Sequence, residues 1–334
     1  MTAEAPPGPA LVLGANGQDG SYLAEVLIER GWRVVGAARQ PASRWVAHPA
    51  YRHVALDIGD AAALSALLQT ERPSRVFALA AIHGSSGHAY EAEWRSALDV
   101  NVGSVHTCLE YMRVTDPDCR LFLASSLKAF GENPPAVIDE SSPRVSSCLY
   151  AMTKNAATDL IYYYRLRHGL WAFIGWLFNH DSPRRPADYF LPRLAAQLAA
   201  HLAKAPAPPP LASVDFWCDW GSSLDYMRAV AELAELDTPY DVVMATGSPV
   251  YAGELARALG DLVGVSATAW LRTLSNARPK TRGAPAFRAD TARLRSLVGE
   301  PQRQALDVVL WILRERHGLA VERADLSLSG RSGS

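Results

Sequence analysis

Three observations predict an α/β fold: a Rossmann-type doubly wound parallel sheet with a smaller, mostly helical C-terminal substrate domain. Short continuous apolar runs alternate with amphipathic stretches through the first half of the chain. Such alternation argues for a sheet covered on both faces. A glycine-rich turn, Gly14-Ala-Asn-Gly17-Gln-Asp-Gly20, follows the first apolar run. Beyond residue 178 the alternation gives way to helical patterns and a Pro/Ala-rich loop, Lys204–Pro210.

Taken in order, Ala10–Leu13 is the first strand, closed by the glycine turn. Asp19–Arg30 reads as a helix with Leu23, Val26 and Leu27 on one face and Gly31 past its end. Arg33–Ala38 and His53–Leu56 are the next strands, and Asp57 follows the latter. Helix Ala61–Gln69 leads to strand Arg75–Ala80 and a Gly/Ser-rich loop, His83–His88. Ser96–Met112 is helical, and Leu121–Ala124 is a fifth strand running into Ser125-Ser126. Tyr150–His168 is a long helix and Trp171–Phe178 a sixth strand. Helices follow at Leu191–Leu202 and Ser223–Leu236. Strand Asp241–Ala245 is expected to return to the main sheet, before helices Ala252–Leu262 and Pro301–His317. Residues 1–178, with 223–248, therefore form the dinucleotide-binding domain. Residues 179–222 and 249–325 form the substrate domain, and 326–334 are a frayed tail.

Composition bounds the function. With 49% hydrophobic and 20% charged residues, the 334-residue chain is expected to bury a core. A formal net charge of −1 lacks the basic excess of a nucleic-acid binder. The four cysteines form no CxxC pair or zinc-type spacing, so no metal site is expected and free thiols in a reducing compartment are. The acidic, Pro-rich start lacks signal-peptide features, and no apolar run reaches the roughly 18 residues of a membrane span. A cytoplasmic protein with no membrane partner is expected.

The glycine turn sits where a parallel sheet binds nucleotides, at the carboxyl end of its first strand. Gly14 allows the tight turn, Gly17 lets backbone approach a pyrophosphate, and Gly20 lets helix pack on strand. Asn16, Gln18 and Asp19 share that turn and are counted with the cofactor site, as are Leu79, Ala80 and Ala81 at the end of the fourth strand. The second strand ends in Arg39-Gln40 rather than a carboxylate. A guanidinium suits a 2′-phosphate, so NADP is favoured over NAD. Asp57 and Ile58 are expected beside the adenine.

Tyr150 and Lys154 are four residues apart, which places both on one face of a helix. A phenol has a reference pKa near 10, and a neighbouring ammonium favours the phenolate. Tyr150 can then take an alcohol proton while hydride leaves the same carbon. Lys154 can also grip the nicotinamide ribose, and Ser126 can hydrogen-bond the reacting oxygen. An exposed i,i+4 pair is the bland alternative.

These motifs make the chain resemble an extended short-chain dehydrogenase/reductase of the GDP-mannose 4,6-dehydratase kind, within the NAD-dependent epimerase/dehydratase family. The resemblance runs from about Leu11 to Leu297. Its most specific stretches are the glycine turn through Glu25, Leu177-Phe-Asn-His-Asp-Ser-Pro-Arg-Arg185 and Asp219-Trp-Gly. It implies a nucleotide-diphosphate sugar as partner and a homodimer or homotetramer. It also implies that Asn179 touches the sugar or its phosphates and that Arg278 holds the diphosphate. Arg39 matches one of two arginines associated with NADP in that family, and Gln40 replaces the other. Arg184 and Asp215 are further candidate contacts, with structural ion pairing as the equal alternative; Ser85, Ser86 or His83 can contact the sugar.

Family dehydratases oxidise carbon 4, eliminate water across carbons 5 and 6, and return hydride to carbon 6. The resemblance places their acid/base glutamate two positions after the catalytic serine, where this chain has Lys128. An ammonium cannot accept a proton; it can pair with an anionic substituent such as a hexuronate carboxylate. Cys218 replaces an arginine before Asp219-Trp-Gly, and Thr281 an acidic residue after Arg278-Pro279. The expected function is therefore hydride exchange at carbon 4 of an NDP-hexose, by an epimerase or ketoreductase. The alternatives are a 4,6-dehydratase with an atypical acid/base and a non-catalytic cofactor-sensing protein.

Overall fold

The computed structural model describes residues 8–83, 91–274 and 285–321. Its centre is a seven-stranded, wholly parallel sheet. The strands are β1 (Ala10–Leu13), β2 (Val34–Ala38), β3 (Tyr51–Ala55), β4 (Arg75–Ala78), β5 (Arg120–Ser126), β6 (Ala172–Leu177) and β7 (Val242–Met244). Their spatial order is β7-β6-β5-β4-β1-β2-β3. The order reverses between β1 and β4, and a reversal of this kind opens a crevice at the carboxyl ends of the strands.

Side chains alternate across the sheet because the strand period is two. Leu11 and Leu13 join one apolar layer with helices α2 (Ala61–Glu71), α3 (Ser104–Val114) and α4 (Leu149–His168). Ala10 and Val12 join the opposite layer with α1 (Gln18–Glu29) and Ser223–Leu233. Burial on both faces explains why these strands read as unbroken apolar runs. The second half of the chain carries α5 (Phe190–Leu202), α6 (Ser223–Leu233), α7 (Ala252–Leu262) and α8 (Ala305–His317). α5, α7 and α8 enclose a third apolar cluster with Trp220 and Trp270, away from the sheet.

Several boundaries differ from the sequence expectation, each for a local reason. β5 runs on through Ser126 because Ser125 and Ser126 stay in register with Trp176 and Leu177 of β6. The stretch expected as one helix over Ser96–Met112 is broken: Trp94–Leu98 is α-helical, Asp99–Gly103 is a π-turn, and α3 follows. α6 ends at Leu233 rather than Leu236, and Arg120 donates to the carbonyls of Ala234 and Leu236, 2.8 Å each, just past its end. α8 starts at Ala305 rather than Pro301, where Gln304 and Asp307 form a capping box. Three ladders of two or three residues were too short for periodicity to reveal: Asn179–Asp181 with Trp220–Ser222, Trp217–Cys218 with Val250–Tyr251, and Val137–Ile138 with Arg288–Ala289.

No helix among the described residues is long and apolar enough to cross a membrane. All four cysteines are free thiols. Among the described residues no group of three or more His, Cys, Asp or Glu is placed to hold a metal ion.

Candidate active site

The glycine turn is held by close backbone packing. Gly14 has φ +92°, and a Cβ there would lie 2.8 Å from the Ala80 amide nitrogen. Its own N–H donates to Ala37 O, 2.9 Å away. A Cβ on Gly20 would collide with the Gly14 carbonyl oxygen and come within 2.8 Å of the Ala15 Cα. Gly17 is different: a Cβ there would meet only Gly14 O, at 3.2 Å, so its outer side is open. Ser21 N makes its bond to Gly17 O, 3.1 Å, leaving the N–H groups before it at the unpaired start of α1. An open, glycine-lined turn on a helix N-terminus fits a pyrophosphate.

The side chains around that turn divide sharply. Asn16 ties it to the segment after β2: its amide donates to Gln40 Oε1 and Ala42 O, and its Oδ1 accepts from Arg44 N. Gln18 is buried, donating to His180 O at 3.1 Å and accepting from the Ser182 hydroxyl at 2.9 Å. Asp19 faces His180 and Ser223. The side chains of Gln18 and Asp19 are thus committed to protein partners, and only their backbone N–H groups remain for a ligand.

Arg39 is exposed at the carboxyl end of β2. Asp57 is exposed after β3, with Oδ1 accepting from Gly59 N at 2.9 Å. Ile58 turns its side chain into the apolar layer under the sheet, 6% exposed, and presents only its backbone to the strand edge. Leu79, Ala80 and Ala81 are half-buried beyond β4, with Leu79 N and Ala80 N both donating to Leu13 O.

The chemical groups gather at the ends of β4 and β5. Lys154 Nζ donates to Ala124 O of β5 at 2.7 Å, pinning the start of α4 to that strand. It lies 5.7 Å from the centroid of the Tyr150 ring. Burial pulls the Lys154 pKa down to about 8, so the ammonium is kept at neutral pH with a narrow margin. Ser126, two residues beyond Ala124, accepts a 3.2 Å bond from Lys128 N, which leaves its O–H to donate. Lys128 itself is exposed on a single helical turn, Leu127–Phe130. His83 stacks on the Tyr150 ring, with centroids 4.5 Å apart and planes 27° from parallel.

Two residues here were given no role on sequence grounds. Asn101 is 2% exposed inside the π-turn. Its Oδ1 accepts from Ile82 N at 2.8 Å and its amide donates to Thr153 Oγ1 at 2.9 Å. Thr153 in turn donates to Tyr150 O. Asn101 thereby joins the loop after β4 to the helix carrying Tyr150 and Lys154; a single Asn in an amphipathic helix pattern gives little signal. His180 lies in the Asn-His-Asp stretch, where a histidine beside polar neighbours looks like surface.

The candidate sugar contacts scatter. Asn179 is exposed, donating to Cys218 Sγ at 3.0 Å. Arg184 is clamped to α1 instead: it pairs with Glu25 at 2.6 Å, stacks 4.0 Å over the Tyr22 ring and also covers Trp45. Asp215 accepts the Tyr251 hydroxyl. For Arg184 the structural ion pair is present, with Glu25, whereas the partner seen for Asp215 is a neutral hydroxyl. Ser85, Ser86, Arg278 and Thr281 lie outside the described residues.

Comparison with known proteins gives a consistent answer. The GDP-mannose 4,6 dehydratase family matches residues 11–305. The chain is 32% identical to GDP-mannose 4,6 dehydratase 1 of Arabidopsis thaliana over 254 residues, 71% of this chain and 70% of that one. It is 28% identical to a GDP-mannose 4,6-dehydratase of Sordaria araneosa over 77% of this chain, and spans 48% of that longer relative. The fold matches UDP-glucuronic acid 4-epimerase from Bacillus cereus, solved with UDP-glucuronic acid and NAD, at a TM-score of 0.72 and 20% identity, covering 90% of this chain and 96% of that one. With its parallel sheet, its glycine turn and this extent of matching sequence, the chain belongs to the GDP-mannose 4,6-dehydratase family of extended short-chain dehydrogenases/reductases.

Proposed function

We propose that this chain exchanges hydride at carbon 4 of a nucleotide-diphosphate hexose, by epimerisation or ketoreduction rather than by 4,6-elimination. The observation that carries the reading is Lys128, an exposed ammonium two residues beyond Ser126, where an eliminating member of the family needs a carboxylate. The oxidation machinery remains. Tyr150 takes the carbon-4 hydroxyl proton, the Lys154 ammonium favours the phenolate, and the Ser126 hydroxyl donates to the reacting oxygen. A bound nicotinamide supplies hydride acceptance and return. The turn Gly14–Gly20 receives the pyrophosphate at the start of α1. Asn179, Ser85, Ser86 and Arg278 are assigned to the sugar nucleotide.

Arg39 supports NADP, through a guanidinium at the ribose edge of β2. The Bacillus cereus relative holds NAD, so both dinucleotides belong in the binding test. The ammonium of Lys128 supports a sugar with an anionic substituent, and hexuronates belong in the panel beside neutral hexoses. A homo-oligomer in the cytoplasm completes the reading.

A 4,6-dehydratase with a different acid/base is the second reading. His83 favours it: a neutral imidazole stacked on the catalytic phenol has a ring nitrogen that can accept a proton where the Lys128 ammonium cannot. Incubation with GDP-, UDP-, CDP- and dTDP-linked hexoses and hexuronates separates the two. The first reading expects a carbon-4 epimer or a 4-keto sugar that retains its carbon-6 oxygen. A 4-keto-6-deoxy product would overturn it. Dinucleotide binding with no turnover, unchanged by Tyr150→Phe, would instead mark a cofactor sensor.

A further inference from the structure

Behind the glycine turn lies a half-buried charged cluster that the proton and hydride steps do not use. Asp19 is in the first turn of α1. His180 Nε2 is 3.0 Å from both oxygens of Asp19, and His180 Nδ1 is 2.7 Å from Phe178 O. The Ser223 hydroxyl donates to Asp19 Oδ1 at 2.6 Å. Ser223 bonds the carboxylate and not the imidazole, which rules out a Ser-His-Asp nucleophile.

A neutral imidazole donates from one nitrogen and offers a lone pair at the other. Both nitrogens of His180 face oxygen acceptors, so only the imidazolium satisfies the geometry. The other groups around it are Asp181 and Arg185 from its own segment and the Tyr226 ring from α6, 5.2 Å between centroids. Burial works against the imidazolium, but the charge and hydrogen bond of Asp19 outweigh it and leave His180 raised. Burial likewise raises Asp19, and His180 with Ser223 outweighs it and leaves the carboxyl lowered.

A carboxylate in the first turn of a helix interacts with the positive end of the helix dipole. It therefore competes with any anion bound at that N-terminus. We propose that His180 is a positioning residue for the dinucleotide: its imidazolium neutralises Asp19, so that the N-terminus of α1 keeps its positive end for the pyrophosphate. The proposal rests on the reading of Gly14–Gly20 as the dinucleotide site.

Isothermal titration of the full-length protein with NAD and with NADP at pH 7 tests it, using wild type, His180→Gln, Asp19→Asn and the Asp19→Asn/His180→Gln double variant. His180→Gln is expected to weaken binding roughly tenfold, the scale of one uncompensated charge at a helix start. The double variant is expected to return to within about twofold of wild type, because the charge needing compensation is gone. Asp19→Asn alone is expected to bind at least as tightly as wild type, and it carries the test if His180→Gln does not fold. Unchanged affinity in His180→Gln, a double variant no tighter than His180→Gln, or tenfold weaker binding by Asp19→Asn would overturn the proposal while the site reading stands. A folded wild type that binds neither dinucleotide would overturn both.

Discussion

Lys154, proposed above to favour the Tyr150 phenolate, is placed at a cost to the fold. It is 2% exposed with one described hydrogen bond, to Ala124 O. An unfolded lysine titrates near 10.4, whereas burial brings Lys154 to about 8. Between those values the unfolded chain binds more protons, so stability rises with pH across that window, and the full penalty applies below it. At neutral pH the penalty is on the order of 3 kcal/mol, at 1.36 kcal/mol per decade. Lys154→Met removes it but leaves the Ala124 carbonyl without that donor, a partial offset of about 1–2 kcal/mol. The variant is expected to lose turnover yet unfold about 1–2 kcal/mol harder than wild type in urea at pH 7, with the advantage shrinking by pH 9.5. A Lys154→Met protein less stable than wild type at both pH values would refute the account. The i,i+4 spacing of Tyr150 and Lys154 was legible in the sequence, but the burial that sets the Lys154 pKa comes from β5, some thirty residues earlier.

Among elements, the π-turn Asp99–Gly103 departs furthest from the expected pattern. The apolar spacing across Ser96–Met112 fits an ordinary helix. One extra residue in the turn instead rotates Asn101 inward, where it bonds both Ile82 and Thr153. Asn101→Ala takes the acceptor from the part-buried Ile82 N–H and the donor from the buried Thr153 Oγ1, a cost of about 1–3 kcal/mol. It also loosens the loop that brings His83 to Tyr150. The variant is expected to unfold at correspondingly lower urea and to lose kcat roughly 10- to 100-fold, since small misplacements of a positioned catalytic group cost about that much. Full kcat in Asn101→Ala, measured on the substrate found in the sugar-nucleotide panel, would mean that the π-turn does not position the site. By contrast β1 and α7 match their sequence-based bounds, because an unbroken apolar run and a strong amphipathic period are local signals.

At the scale of the molecule, β7 returns to the sheet beside β6 after a long excursion through the second half of the chain. α6 precedes it and packs on α1, supplying Tyr226, Met227 and Val230 to one face of the sheet. A fragment ending at residue 178 lacks both elements and exposes that face. It is expected to give no cooperative urea transition and to bind no dinucleotide, whereas the full chain is expected to do both; a fragment with a sharp transition would show that the face closes without α6 and β7. The third cluster, between α5, α7 and α8, is held by its own apolar contacts and meets this layer where Trp311 of α8 packs on Tyr22 of α1. Val309→Ala within it is expected to cost about 1–3 kcal/mol in urea unfolding, from lost burial and the cavity left behind, while dinucleotide affinity holds.

Short-range pattern in the chain was enough for the fold class, the seven sheet strands and the main helices, and the two motifs that mark a nicotinamide enzyme, because each is written in residues a few positions apart. Tertiary structure decided which polar residues serve the cleft and which serve the frame. Arg184 turns to Glu25, Gln18 to Ser182, and Asp19 to His180 and Ser223, partners 159 to 204 positions away. Nothing local distinguishes a carboxylate that meets solvent from one that meets a half-buried imidazolium, since burial and partner are fixed only when distant segments pack together.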